Sequence, residues 1–339
     1  MKTRVAINGF GRIGRIAFRA AFDRTDIEIV GINDLTDTKT LAHLLQHDTN
    51  YGSYAHTVTF DDTHIVVNGH KIPVSAEREP AALPWKDLKV DVVIESTGRF
   101  TKFEDAKKHL DAGAKKVVIS GPSKSPEVKT IVIGANEDEL EQAGDIISNA
   151  SCTTNSAAAV MDIMERAFGV EKAMLTTVHS YTASQMIQDG PAKDLREART
   201  AAQNIVPTTT GAAVAVALTV PSVAGKFDGL SIRVPTPVVS LSDITFLLRS
   251  DVTIEQINET FKKAAAEPYY QGVLAVSDVP LVSHDYIGNS HSGTVDLLLT
   301  NVVAGNMAKV VVWYDNEWGY SNRLVELVAD VGRIIHEGK

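Results

Sequence analysis

The chain is poor in cysteine, in positive charge and in long apolar segments. Its 339 residues include one cysteine, Cys152, so no disulfide can form within the chain and a reducing compartment is expected. The net charge of −9 argues against a nucleic-acid or anionic-membrane partner. The longest apolar stretch, around 211–220, is too short to cross a bilayer. The first residues lead into a predicted strand, so we expect no signal peptide and a cytoplasmic location.

The chain has the length and composition of a two-domain globular protein, with 44% hydrophobic and 22% charged residues. Its first part alternates short buried strands, such as 5–7 and 27–32, with helices, such as 13–22. This alternation predicts a parallel α/β sheet. A hairpin interrupts it, in which strands 57–60 and 64–67 are expected beside an Asn68-Gly69 turn.

The character changes after Cys152, where longer strands follow one another. The predicted strands are 230–234, 238–248, 295–303 and 308–314, with a helix over 254–265. Such a pattern favours a mostly antiparallel sheet with helices. The last segment has the apolar spacing of an amphipathic helix. We therefore predict an α/β domain over 1–151, completed by a C-terminal helix over 318–339, and an α+β domain over 152–317.

A glycine motif with the spacing G-x-G-x-x-G, at Gly9, Gly11 and Gly14, follows the first predicted strand and opens a helix. Its glycines permit a tight turn, and the helix N-terminus offers N–H groups to a pyrophosphate. Asp34 ends the second strand about 20 residues later, where a carboxylate binds the adenosine ribose and repels a 2′-phosphate. Asp34 also fits a simple turn. The full pattern predicts a Rossmann-type domain that binds NAD rather than NADP.

Cys152 lies directly after a β-like run and before a helix of small residues. A helix N-terminus and a nearby imidazolium both lower a thiol pKa. A buried structural cysteine is the alternative. Because Ser151 and Thr153 suit an oxyanion or a phosphate better than an apolar core, we predict a nucleophile that is a thiolate at neutral pH.

His179 ends a β-branched segment and begins a polar loop. A cysteine nucleophile needs an acid/base partner, and His179 fits that role, although most of the ten histidines must be structural. No second ligand lies at metal-binding spacing from His179 or Cys152, so no metal site is predicted.

Anion-binding residue types are scattered through the second half of the chain. They are Arg196, Arg199, Thr210, Gly211 and Arg233. Arginine suits phosphate geometry, and a Thr-Gly pair before a helix supplies hydroxyl and N–H donors. With a thiol and a dinucleotide motif, these residues predict a small phosphorylated substrate.

Taken together, these segments resemble the phosphorylating glyceraldehyde-3-phosphate dehydrogenases over essentially the whole chain. The similar segments are 6–15, 148–155, 179–182, 202–207, 233–237 and 313–320. The resemblance implies NAD-dependent oxidative phosphorylation of D-glyceraldehyde 3-phosphate to 1,3-bisphosphoglycerate through a cysteine thioester, as in glycolysis and gluconeogenesis. It also implies inorganic phosphate as second substrate, and a homotetramer.

The resemblance assigns roles to individual residues, with Cys152 as the nucleophile and His179 as its activator. The residues that it places around NAD are Gly9, Gly11, Arg12, Ile13, Gly14, Asp34, Arg78, Ser120 and Asn316. Those that it places around the inorganic phosphate are Ser151, Thr153, Thr210 and Gly211, with Arg196 or Arg199 as the arginine contribution. The substrate phosphate would contact Thr182 and Arg233.

The chain departs from the family pattern beside Arg196, where many bacterial members carry a second arginine and this chain has Glu197. We expect Glu197 to pair with Arg196 or Arg199, or to face solvent, while one of these arginines points inward with Thr210. We have no mechanistic account of Val214, which stands where a lysine is common.

Two other hypotheses remain. One is an erythrose-4-phosphate dehydrogenase of the same architecture, whose pattern differs around 179–185 and 208–211. The other is a non-catalytic NAD-binding protein of the same fold, which the intact Cys152 and His179 disfavour.

Overall fold

A computed structural model describes residues 1–338, which form two compact units. The first unit comprises Met1–Ile131, Asp138–Ala150 and the C-terminal segment from Ser321, and the second comprises Val132–Glu137 and Ser151–Tyr320. The helices are α1 Arg12–Ala21, α2 Thr38–Gln46, α3 Phe103–Asp111, α4 Cys152–Phe168, α5 Ala212–Thr219, α6 Ile254–Ala266 and α7 Trp318–Glu337. None of the helices within residues 1–338 has the length and apolar character needed to cross a membrane.

Strands alternate with these helices in the first unit and dominate the second. The strands of the first unit are β1 Thr3–Asn8, β2 Ile27–Asn33, β3 His47–Asp48, β4 Gly52–Ser53, β5 Val58–Phe60, β6 His64–Val67, β7 His70–Ser75, β8 Val92–Glu95, β9 Lys116–Ile119, β10 Lys129–Thr130 and β11 Ile146–Ser148. Those of the second unit are β12 Val170–Ser180, β13 Val206–Thr209, β14 Phe227–Val234, β15 Ser240–Leu248, β16 Leu274–Ser277, β17 Gly293–Asp296, β18 Asn301–Val303 and β19 Met307–Tyr314.

The main sheet of the first unit has the strand order β10-β11-β9-β8-β1-β2-β7-β6-β5. Its pairs from β10 to β7 are parallel, and β6 and β5 are added antiparallel. Strand β1 has β2 on one side and β8 on the other, so the strand order reverses at β1. Ligands of such sheets bind outside the carboxyl ends of the strands at this reversal. The predicted α/β fold is confirmed.

The hairpin of the first unit differs from its prediction in one respect. Asn68 and Gly69, with φ of 49° and 84°, form a turn, but this turn joins β6 to β7. The sequence pattern does not predict strand β7, because polar His70 and Lys71 open the strand and Pro73 interrupts it.

The second unit is built on a sheet of order β13-β14-β12-β15-β19-β17-β16, with β18 paired to β19. Only the β12–β14 and β16–β17 pairs within it are parallel, which confirms the mostly antiparallel prediction. The single strand predicted over 295–303 is wrong, since two strands flank a turn there. The carboxylate of Asp296 stabilises this turn by accepting hydrogen bonds from the Leu298 N–H (3.1 Å) and the Trp313 indole (3.0 Å).

Candidate active site

A cavity of about 410 Å³ lies in the first unit beside the carboxyl end of β1. Gly9, with φ of 92°, lines it, and a Cβ there would lie 2.7 Å from the Thr97 nitrogen. A Cβ on Gly14 would lie 2.2 Å from the Gly9 carbonyl oxygen, so a side chain at either position would force the turn open. Helix α1 follows at once, and Gly11 before it supplies no side-chain cap. The turn therefore leaves helix N–H groups available to a diphosphate, and these residues fit a dinucleotide.

Asp34 lines the same cavity after the end of β2. Its carboxylate accepts hydrogen bonds from the Phe10 N–H (2.8 Å) and the Thr36 N–H (3.0 Å), which fix its orientation. Because a carboxylate has about four acceptor positions, acceptor capacity remains for ribose hydroxyls. The structure thus keeps the predicted Asp34 at the cavity.

The other predicted NAD residues of the first unit divide into two groups. Gly11 and Arg78 line the cavity, while Arg12, Ile13, Gly14 and Ser120 lie outside its walls. Arg12 pairs with Asp48, and its guanidinium lies 5.8 Å from the centre of the Tyr51 ring.

In the second unit, Cys152 is the first residue of α4 and lies beside the end of β12. The hydroxyl of Ser151 accepts a hydrogen bond from the Thr154 N–H (3.1 Å) and caps the helix. The Cys152 Sγ lies 3.4 Å from Nε2 of His179, within the range of a sulfur hydrogen bond. The structure therefore brings together the two residues that the sequence proposed as a catalytic pair.

Arg233 joins this pair because β12 and β14 run parallel with His179 and Arg233 in register. Its Nη1 lies 2.6 Å from Nδ1 of His179 and 3.2 Å from the Ser180 carbonyl oxygen. Nδ1 also lies 2.7 Å from that carbonyl oxygen. A guanidinium only donates and a carbonyl only accepts, so the two contacts of Nδ1 require opposite tautomers of the imidazole.

The protonation of the pair differs from the sequence prediction. Burial raises the pKa of the Cys152 thiol, and the charge of Arg233 and the hydrogen bonds of Thr153 lower it by less. Burial, followed by the charge of Arg233, lowers the pKa of His179 to about 3 against the opposing hydrogen bond to Ser180. Both shifts favour a neutral thiol beside a neutral imidazole. They oppose the expected thiolate, because sequence spacing does not reveal the burial of the pair.

A strained backbone supports the loop after His179. Val239 has φ of 71°, which is unfavourable for a β-branched residue, and its carbonyl accepts a hydrogen bond from the Ser180 hydroxyl (2.7 Å). Ser240 accepts a hydrogen bond from the Ser180 N–H (3.1 Å) and donates one to Oδ1 of Asn316 (3.1 Å). These bonds tie the predicted Asn316 to the strand end that carries His179.

Sequence reasoning missed Tyr314 as a member of the site. Its hydroxyl lies 2.9 Å from Oγ1 of Thr153 and 2.8 Å from Oγ1 of Thr177, and its ring packs edge-on against His179. Burial raises the pKa of Tyr314, so the hydroxyl stays protonated. Tyr314 lies within 313–320, one of the segments that resemble the family. The pattern of residue types in that segment does not show the buried hydrogen bonds of Tyr314.

The expected pairing of Glu197 with Arg196 or Arg199 is wrong, and its side chain is half-buried instead of fully facing solvent. Its carboxylate accepts hydrogen bonds from Gln185 Nε2 (3.2 Å) and the Thr208 hydroxyl (3.1 Å). Gln185 in turn accepts a hydrogen bond from the N–H of Thr182 (2.9 Å). The loop fold thus turns Glu197 toward neutral donors around the predicted anion residues.

The two candidate arginines do not point inward with Thr210 either. Arg199 forms an ion pair with Asp189 (2.9 Å), and Arg196 is exposed. Thr210 accepts a hydrogen bond from the N–H of Ala212, the first residue of α5 (3.1 Å), and Gly211, the N-cap residue, is exposed. The residues around Thr210 therefore offer hydroxyl and N–H donors to an anion, and neither Arg196 nor Arg199 is held among them.

Within residues 1–338, no cluster of three or more His, Cys, Asp or Glu side chains is arranged to hold a metal ion.

The glycine-turn cavity of the first unit and the Cys152–His179 pair of the second define the class, a nicotinamide-dependent oxidoreductase with a cysteine in its site. Comparison with protein families makes this specific. Residues 3–103 match the model described as glyceraldehyde 3-phosphate dehydrogenase, NAD binding domain, and residues 151–316 match the C-terminal domain of the same family. The chain therefore belongs to the glyceraldehyde-3-phosphate dehydrogenase family. Its cofactor is NAD, as predicted.

Curated relatives cover nearly the whole chain. The chain is 54% identical over 330 residues to glyceraldehyde-3-phosphate dehydrogenase of Geobacillus stearothermophilus, covering 97% of this chain and 98% of the relative. It is 53% identical over 334 residues to glyceraldehyde-3-phosphate dehydrogenase 1 of Bacillus subtilis, with 98% and 99% covered. It is 52% identical over 340 residues to the enzyme of that name from Mycobacterium avium, with 98% and 99% covered.

Proposed function

We propose that the chain catalyses the NAD-dependent oxidation and phosphorylation of D-glyceraldehyde 3-phosphate to 1,3-bisphosphoglycerate. The observation that carries this proposal is the 3.4 Å separation between Cys152 Sγ and His179 Nε2 at the start of α4. The names of the relatives support the choice of substrate. The reaction places the enzyme in glycolysis or gluconeogenesis.

In the first half-reaction, the sulfur of Cys152 forms a bond to the aldehyde carbon, and the thiol proton passes to Nε2 of His179. The protonated imidazole then gives that proton to the carbonyl oxygen, which yields a hemithioacetal. NAD, when bound, supplies the hydride acceptor. His179 takes the hydroxyl proton as the hydride leaves, so the carbon is oxidised to a thioester.

In the second half-reaction, inorganic phosphate attacks the thioester carbon. The carbon–sulfur bond breaks, the acyl phosphate leaves, and the sulfur of Cys152 recovers its proton from His179. In each of the two half-reactions, negative charge develops on the oxygen of the reacting carbonyl group. The first N–H of α4 and the imidazole of His179 are the groups that we propose to stabilise it.

We propose two phosphate positions in the second unit. Arg233, in contact with His179, would bind the substrate phosphate together with Thr182. Ser151, Thr153, Thr210 and Gly211 would bind the attacking phosphate through hydroxyl and N–H donors. Arg199 is paired with Asp189, so we assign the arginines only a secondary contribution to that position.

We also propose a homotetramer. One face of the sheet of the second unit carries exposed apolar side chains, among them Met174, Leu230 and Met307, which are 62%, 43% and 48% exposed. Residues of the loop after β12 add Ile187 and Leu195, which are 88% and 83% exposed. Further copies of the chain would remove this surface from water. Light scattering on the purified protein should give four times the mass of the chain.

A steady-state assay tests the proposed reaction. Formation of reduced nicotinamide is measured with glyceraldehyde 3-phosphate or erythrose 4-phosphate, each with and without inorganic phosphate. We expect the higher kcat/KM for glyceraldehyde 3-phosphate and a strong dependence on phosphate. A preference for erythrose 4-phosphate would reassign the substrate, and no turnover with either aldehyde would favour a binding protein.

A further inference from the structure

A chain of buried hydrogen bonds lies behind the wall of the NAD cavity. The carboxylate of Glu95 ends β8 and is 1% exposed, and His109 on α3 and Trp85 are both 0% exposed. Neither Glu95 nor His109 lines the cavity. Nothing in the reaction above uses them, although a buried carboxylate costs stability unless it is compensated.

The carboxylate of Glu95 accepts hydrogen bonds from two residues that line the cavity, Thr97 and Asn8. Oε1 accepts hydrogen bonds from the N–H (2.8 Å) and hydroxyl of Thr97, and Oε2 accepts from Asn8 Nδ2 (2.6 Å). Asn8 and Thr97 both line the cavity. Asn33, also a lining residue, donates to the Asn8 amide oxygen (2.7 Å). The orientation of these polar groups in the wall therefore depends on Glu95.

The tautomer of His109 is fixed from the opposite side. The indole nitrogen of Trp85 can only donate, and it lies 3.0 Å from Nδ1 of His109. Nδ1 is therefore an acceptor, and the imidazole proton lies on Nε2, which donates to Oε2 of Glu95 (3.0 Å). The His109 ring also packs edge-on against Phe100, another lining residue.

We propose that Glu95 is a positioning residue for NAD, held in place by His109, and that Trp85 reports on the state of this hydrogen-bond chain. The inference rests on the NAD-binding part of the proposed function, which can be measured without turnover, and on the cavity that belongs to it. Glu95 acts through Asn8 and Thr97, whose polar groups it orients, and it touches no cofactor atom itself.

An isosteric change isolates this role. The carboxylate of Glu95 accepts from four donors, which belong to Thr97, Asn8 and His109. In Glu95→Gln only one side-chain oxygen can accept, and the new NH₂ group faces donors with which it cannot form hydrogen bonds. A change in the tautomer of His109 cannot relieve this conflict, because the indole N–H of Trp85 requires an acceptor at Nδ1 of His109. We expect Glu95→Gln to weaken NAD binding at least tenfold by calorimetry and to change the emission of Trp85. Glu104→Gln, the same change at an exposed position of α3, should bind NAD as the wild type does.

Two variants of His109 test the hydrogen-bond chain independently. His109→Gln retains a donor for Glu95 and an acceptor for Trp85, whereas His109→Leu retains neither. We expect NAD affinity within threefold of wild type for His109→Gln and at least fivefold weaker for His109→Leu, with KM for the aldehyde unchanged in both. This pair decides the question if Glu95→Gln does not fold.

The proposal would be overturned if Glu95→Gln bound NAD as tightly as the wild type does. It would also be overturned if His109→Leu retained more NAD affinity than His109→Gln. Glu95 and His109 would then have only a packing role. Because calorimetry measures NAD binding without turnover, an inactive wild type that binds NAD would contradict the proposed function and leave this inference standing. A wild type that does not bind NAD would overturn both.

Discussion

His179 and Arg233 occupy facing positions on two parallel strands, with Nη1 of the arginine 2.6 Å from Nδ1 of the imidazole. While the arginine donates to Nδ1, the imidazole proton lies on Nε2 and faces the sulfur of Cys152. When Nδ1 instead donates to the Ser180 carbonyl, Nε2 presents a lone pair that can accept the thiol proton. A substrate phosphate that engages Arg233 would therefore favour the tautomer that the chemistry needs.

Arg233→Gln should move the pH dependence of Cys152 alkylation to higher pH. The arginine charge lowers the thiol pKa, so its loss raises the pH at which the thiolate forms. The measurement is the iodoacetamide rate against pH. Arg249→Gln removes an exposed arginine of the same unit and should leave the curve unchanged. An unshifted curve for Arg233→Gln would show that its charge does not reach the sulfur.

His179→Asn should slow both alkylation of Cys152 and reduction of NAD, because no group then accepts the thiol proton. We expect a loss of about 10²- to 10⁴-fold in kcat. His284→Asn, an exposed position of the same unit, is the matched control. Equal rates for His179→Asn and wild type would remove His179 from the mechanism.

Local patterns predicted the parts of the site that local backbone geometry determines. Gly9 and Gly14 are required by a turn that follows from their spacing, and Asp34 directly follows a strand whose position the apolar pattern shows. The contact of Cys152 with His179 is predicted because a cysteine nucleophile needs an acid/base partner. The spacing of the two residues along the chain fixes no distance between them.

Long-range packing determines the parts that the sequence did not predict. The partners of Glu197 are set by the fold of the loop from Thr182 to Thr208, and no local rule selects Gln185 over Arg199. The pKa of Cys152 depends on how deeply the pair is buried, which a pattern of residue types does not measure.

Glu197→Gln should improve the use of inorganic phosphate. Within residues 1–338 the carboxylate accepts hydrogen bonds from the neutral groups of Gln185 and Thr208, so its charge opposes an anion near Thr210. We expect KM for phosphate to fall by about three- to tenfold, or about 0.7–1.4 kcal/mol. Glu171→Gln, an exposed position of β12, controls for net charge. An unchanged or increased KM would place the attacking phosphate away from Glu197.

Asp34→Asn should weaken the preference for NAD over NADP. The substitution removes the charge that repels a 2′-phosphate and keeps one acceptor for the Phe10 or Thr36 N–H. The ratio of kcat/KM for NADP to that for NAD should rise by about tenfold. Asp62→Asn, exposed in the same unit, should not change the ratio. A constant ratio in Asp34→Asn would assign the preference to other residues of the cavity.

The most direct test of the proposed chemistry is a single-turnover experiment without inorganic phosphate. The enzyme is mixed with NAD and glyceraldehyde 3-phosphate, reduced nicotinamide is followed by absorbance, and the peptide containing Cys152 is weighed by mass spectrometry. We predict a burst of one reduced nicotinamide per active subunit, a Cys152 peptide that carries the acyl group, loss of that group on adding phosphate, and none of these in Cys152→Ser. A burst without acylation of Cys152, or an unchanged burst in Cys152→Ser, would contradict the thioester mechanism.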